Sequence, residues 1–114
     1  MKRILFLFSS AIERDAALPD GLPDGVLTGV CGIGLVEAGI GTTRMIHDTR
    51  PDAVVFLGTC GAYRSSGLVV GDVVVASTTC LSSGDVARGE MRIPSLVPTV
   101  MQCDVELATE FARR

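Results

Sequence analysis

The chain has no tryptophan, one tyrosine and one histidine, and its ten lysines and arginines form no run longer than a pair. Nucleic-acid binding calls for a basic stripe, so a net charge of −3 without one argues against such a partner. The four cysteines, Cys31, Cys60, Cys80 and Cys103, are spread too widely for a zinc set or a CxxC redox pair. They read as reduced thiols of a cytoplasmic protein. His47 has no other ligand type at metal-site spacing, so no metal and no cofactor are expected. Long apolar runs are also missing. Ile4–Phe8 is five residues long, below the ~7–15 of a secretory signal and far below the ~20 of a membrane span.

What is present is 47% apolar residues and thirteen glycines in 114 residues, enough for a core in a single loop-rich domain. Ile4–Phe8 and Ala53–Leu57 are unbroken apolar stretches, the pattern of parallel strands covered on both faces. Ala53–Leu57 is expected mid-sheet. It ends in Gly58-Thr59-Cys60-Gly61, where glycines let a ligand approach the backbone and Thr59 offers a hydroxyl. In open α/β sheets, ligands bind beyond the carboxyl ends of strands.

After the first strand, Ser9 or Ser10 can cap a short helix through Glu13, Arg14 and Asp15 that Pro19 stops. Two Leu-Pro-Asp-Gly copies, Leu18 to Gly25, then spell consecutive turns. Val26–Val30 and Ile33–Ala38 read as a strand hairpin. Gly39-Ile40-Gly41 then leads into a helix from Thr42 to Thr49, whose free N–H groups would make Gly41, with Arg44 and Arg14, an anion-binding candidate. Neither Gly-x-Gly stretch has the third glycine of a dinucleotide fingerprint. Val73–Thr78 reads as a strand, Leu81–Pro98 as a long loop, and Asp104–Arg114 as a helix capped by Asp104. The fold class is therefore α/β, a mixed and mostly parallel sheet with flanking helices.

Taken together, Ala11-Ile12-Glu13-Arg14-Asp15-Ala16, Glu37-Ala38-Gly39-Ile40-Gly41, Arg50-Pro51-Asp52 with Gly58-Thr59-Cys60-Gly61, and Val70-Gly71-Asp72-Val73-Val74-Val75 resemble the purine nucleoside phosphorylase and nucleosidase superfamily. The likeness is greatest to the methylthioadenosine/S-adenosylhomocysteine nucleosidases and futalosine hydrolases. This resemblance implies hydrolysis of the N-glycosidic bond of a purine-type nucleoside, with Asp15, or Glu13 as second choice, activating water. It also implies that Thr59, Cys60 and Gly61 touch base and ribose, and that Ile12 lines the ribose side. Phosphorylases with a related strand-end motif carry an arginine where this chain has Phe56, which favours water over phosphate as nucleophile.

The resemblance further implies a Met-Glu motif for the ribose hydroxyls and a Ser-Asp motif whose aspartate protonates the leaving base. Neither follows in this sequence, so residues 1–114 are expected to be the N-terminal part of a single nucleoside phosphorylase-like domain. Its expected partners are a nucleoside and either a complementing C-terminal half or further copies in a homo-oligomer. The alternatives are a non-catalytic nucleoside- or nucleotide-binding module, a phosphate-dependent phosphorylase, or a remnant persisting by self-association.

Overall fold

A computed structural model describes residues 2–113, which fall into two compact units, one up to Ala62 and one from Tyr63. In the first unit, strands β1 (Ile4–Phe8), β2 (Val26–Val30) and β3 (Ala53–Leu57) form a parallel sheet in the order β2-β1-β3. Helix α1 (Ala11–Ala17) follows β1, and α2 (Leu35–Thr49) follows β2. Leu5, Leu7 and Phe8 of β1 are fully buried; each such side chain contributes about 2 kcal/mol of transfer free energy.

The register of β1 against β3 is set at its entry. Arg3 donates its N–H to Asp52 Oδ2 at 2.7 Å, and the Asp52 N–H returns to the Arg3 carbonyl at 2.8 Å. Both Leu-Pro-Asp-Gly copies make the expected turns, with Gly21 at φ 89° and Gly25 at φ 81°. Ser10 caps α1 by accepting the Glu13 N–H, as expected of one of the two serines.

Three expectations for this unit are corrected. β3 is an edge strand of the described sheet and β1 its centre, not the reverse. Val54 and Phe56, alternating onto one face of β3, are exposed while the other face is half-buried, where two covered faces were expected. Ile33–Ala38 forms no hairpin with Val26–Val30. Gly34 is the N-cap of α2, and the residues beyond it are the first turn of that helix. Gly41 therefore lies inside α2 with its N–H spent in the helix, which removes the ground for an anion site there.

Gly41 has a packing role instead. α2 meets the core through Ala38 and Met45, one helical face at spacings of three and four, and Gly41 on that face lies against the Cys31 backbone. A Cβ on Gly41 would overlap the Cys31 carbonyl.

In the second unit, β4 (Thr78–Cys80) pairs antiparallel with β5 (Val100–Gln102), and a single-turn helix α3 (Gly84–Ala87) breaks the expected long loop. Val70-Gly71 turns as expected, with the Asp72 N–H bonded to the Val69 carbonyl at 3.1 Å. The strand expected over Val73–Thr78 is confined to its last residue, which begins β4; the Ser77 carbonyl accepts the Cys103 N–H at 2.9 Å, and Val73–Ala76 pair with no strand among the described residues. Helix α4 (Val105–Ala112) is capped by Asp104 as expected.

Two glycines of one helix should respond oppositely to alanine. Gly39 has open space where its Cβ would go, so Gly39→Ala should stabilise by roughly 0.5–1 kcal/mol. Gly41→Ala should destabilise by about 1–3 kcal/mol, because the obstructing atoms are backbone. Urea unfolding midpoints of the two variants check the sign; equal shifts would contradict the close approach of α2 to Cys31.

Candidate active site

The order β2-β1-β3 sends the chain from β1 to one side of the sheet and then back across to the other. Open α/β sheets bind ligands beyond the carboxyl ends of their strands, at such reversals. Phe8 pairs in register with Leu57, so Ser9 and Gly58 emerge at the same level.

Glu13 closes the distance between these two loops. Its Oε1 accepts hydrogen bonds from the Thr59 N–H and the Thr59 hydroxyl, both at 3.2 Å, across 46 residues of sequence. Its Oε2 accepts from the Ser9 hydroxyl and, at 3.3 Å, from the Ser10 hydroxyl. A Cβ on Gly58 would lie 3.3 Å from Oε1, so glycine leaves the carboxylate room at the strand end. The Ser9 bond and then the Thr59 N–H, with smaller contributions from the Thr59 and Ser10 hydroxyls, hold the Glu13 carboxyl below its ordinary value of 4.5; partial burial opposes them.

Of the two candidate carboxylates, the structure brings Glu13 to Thr59 and not Asp15. Asp15 is 67% exposed and pairs with its neighbour Arg14 at 2.8 Å. Ile12 is 83% exposed beside Glu13 on α1. Cys60 and Gly61 are exposed in the loop after Thr59. Arg44 is exposed on α2, and no hydrogen bond or ion pair among the described residues joins it to Glu13 or Thr59.

Sequence reasoning missed Ser9, weighed only as a possible cap. The available signal was its position four residues before Glu13, which brings the two side chains to one side of a helix start. A separate shallow groove of about 470 Å³, lined by Cys80, Leu81, Met91, Arg92 and Thr99 among others, belongs to the second unit and contains none of the expected site residues.

The structure gives an open parallel α/β class, with a carboxylate held at the carboxyl edge of its sheet. Comparison with known proteins defines it further: residues 24–112 match the phosphorylase superfamily, and the chain belongs to that family. It is 33% identical over 97 residues to a 5'-methylthioadenosine/S-adenosylhomocysteine nucleosidase of Desulfotalea psychrophila, covering 79% of this chain and 41% of that protein. It is 42% identical over 65 residues to the protein of the same name from Actinobacillus succinogenes, covering 53% and 28%. The Exiguobacterium protein of that name is 48% identical over 46 residues, covering 40% and 19%. The chain thus spans less than half the length of these relatives. No solved structure matches. No helix among the described residues is long and apolar enough to cross a membrane.

The lowered Glu13 pKa has a consequence for stability. A carboxyl whose folded pKa lies below its unfolded value adds stability that is present above about 4.5 and lost as pH falls through the folded value. Wild type and Glu13→Gln should therefore differ in urea midpoint at pH 7, and the difference should close on acidification below pH 4.5. A gap independent of pH would contradict the hydrogen-bonded anion.

Proposed function

We propose that this chain forms the ribose-facing part of a nucleosidase-type site that hydrolyses the N-glycosidic bond of a purine-type nucleoside, such as methylthioadenosine, S-adenosylhomocysteine or futalosine. The observation that carries this reading is the Glu13 carboxylate held against Thr59 at the carboxyl ends of β1 and β3. Relatives named as nucleosidases support the reaction class.

Cleavage of the bond builds positive charge on the ribose, and a fixed anion beside it lowers the barrier electrostatically. A carboxylate has about four lone-pair sites, and here four donors engage them. The hydroxyl contacts from Thr59 and Ser10, at 3.2 and 3.3 Å, come from rotatable donors that a water or a ribose hydroxyl would replace, unlike the fixed Thr59 N–H. The water so held attacks the anomeric carbon and passes its proton to Glu13.

Water is favoured over phosphate by Phe56 at the strand-end position and by the engagement of Arg14 with Asp15. The proton for the departing base is assigned to a Ser-Asp motif that these 114 residues do not contain, on a complementing C-terminal half.

Incubation with the candidate nucleosides, with and without a C-terminal half taken from a nucleosidase relative, tests this. Free base should appear with both halves present and without phosphate. Glu13→Gln should lower the rate by roughly 10²–10⁴, whereas Asp15→Asn should change it only a few-fold. Phosphate-dependent release would overturn the hydrolytic reading, and the opposite ranking of the two variants would move the carboxylate role to Asp15.

A further inference from the structure

Ser10-Ala11-Ile12-Glu13 has the S-x-x-E form of a capping box, in which the glutamate turns back to the cap residue's own N–H. Only half of the box is made here. The Glu13 N–H reaches Ser10 Oγ at 3.3 Å, but the carboxylate is turned outward to Thr59. The two Thr59 donors hold Oε1, and Oε2 takes separate donors of its own. Ser10 is a weaker candidate for anchoring Oε2, since its hydroxyl meets that atom only at 3.3 Å and belongs to the cap of the same short helix that carries Glu13.

Ser9 is better placed. It donates to Oε2, and it directly follows Phe8, which is fully buried and whose carbonyl accepts the Cys31 N–H at 2.9 Å. The hydroxyl is thus presented from a point fixed by the sheet, independent of the seven-residue helix α1. We propose that Ser9 is a positioning residue, whose hydroxyl anchors Oε2 of Glu13 to the end of β1 so that Oε1 faces Thr59 at the end of β3. The proposal rests on the nucleosidase reading for its catalytic consequence, while the anchoring itself does not.

The surroundings make the effect readable. Strands β1, β2 and β3 contribute no charged side chain. The ionisable neighbours are Arg14 and Asp15 on the same helix, paired with each other, and the Cys60 thiol next to Thr59. The hydrogen bonds to Glu13 are therefore the main influence on its protonation.

The test is a carboxyl-carbon NMR titration of the intact chain, with the Glu13 resonance assigned through Glu13→Gln. Ser9→Ala should raise the Glu13 midpoint, Ser9→Thr should restore it, and Ser10→Ala should move it less. In the base-release assay, Ser9→Ala should lower the rate several-fold and shift the acid limb of the pH profile upward. An unchanged midpoint in Ser9→Ala, or a larger shift in Ser10→Ala, would overturn the proposal. A shifted midpoint alongside a wild type that releases no base would uphold the anchoring and count against the nucleosidase reading alone. Should Ser9→Ala fold poorly, the Ser9→Thr midpoint still decides, because a threonine that keeps the hydroxyl but leaves the midpoint raised would refute it.

Discussion

The parallel register of β1 with both of its neighbours is the constraint on which the first unit depends. Phe8 pairs at once with Val30 and Leu57, so three strands end level and three loops begin along one edge. The reciprocal Arg3–Asp52 hydrogen bonds fix that register from the opposite end. A slip of one residue would turn Leu5 and Leu7 out of the core and carry Thr59 about 3.3 Å along the strand, beyond hydrogen-bond reach of Glu13. Site geometry and core burial are therefore specified by the same pairing, and neither can drift without the other.

The electrostatics of Glu13 follow from the kind of donor around it. Ser9, Ser10 and Thr59 are neutral, so they stabilise the anion without cancelling its charge. An arginine in the same place would lower the pKa as well, but would leave little net field for a developing cation nearby. Arg14, the nearest cation in sequence, is instead turned to Asp15. The lowered pKa keeps Glu13 an anion at neutral pH, the state that the proposed hydrolysis requires of it before it takes the proton of water.

Local signals were legible in the sequence wherever a residue acts on its immediate neighbours. The Ser10 and Asp104 caps, the two Leu-Pro-Asp-Gly turns and the apolar runs of β1 and β3 are of this kind. The errors arose where pairing is set at a distance. Val73–Val75 have strong strand propensity but no partner strand among the described residues, while Thr78, close by, is paired through contacts 24 residues away. Gly39 and Gly41 read as a helix entry because glycine usually interrupts helices. At position 41 the small residue instead lets α2 lie against the Cys31 backbone, a need visible only once β2 is in place. Asp15 and Glu13 were both candidates for the same reason: which of two acids on one helix faces Thr59 depends on how α1 leaves β1.

Family membership and geometry bear on different parts of the site. The match to the phosphorylase superfamily covers residues 24–112 and so includes Gly58 to Gly61, but Ser9 and Glu13 lie before it. The proposed roles of the strand-end loop thus lie inside the family match, and that of the carboxylate rests on where the fold carries it. The two meet at Thr59, whose N–H and hydroxyl both point to Glu13. A residue that served only to terminate β3 would need neither donor directed at a carboxylate 46 positions upstream. The proposed chemistry is accordingly placed at the end of β3, where the two donors of Thr59 and the Glu13 carboxylate meet.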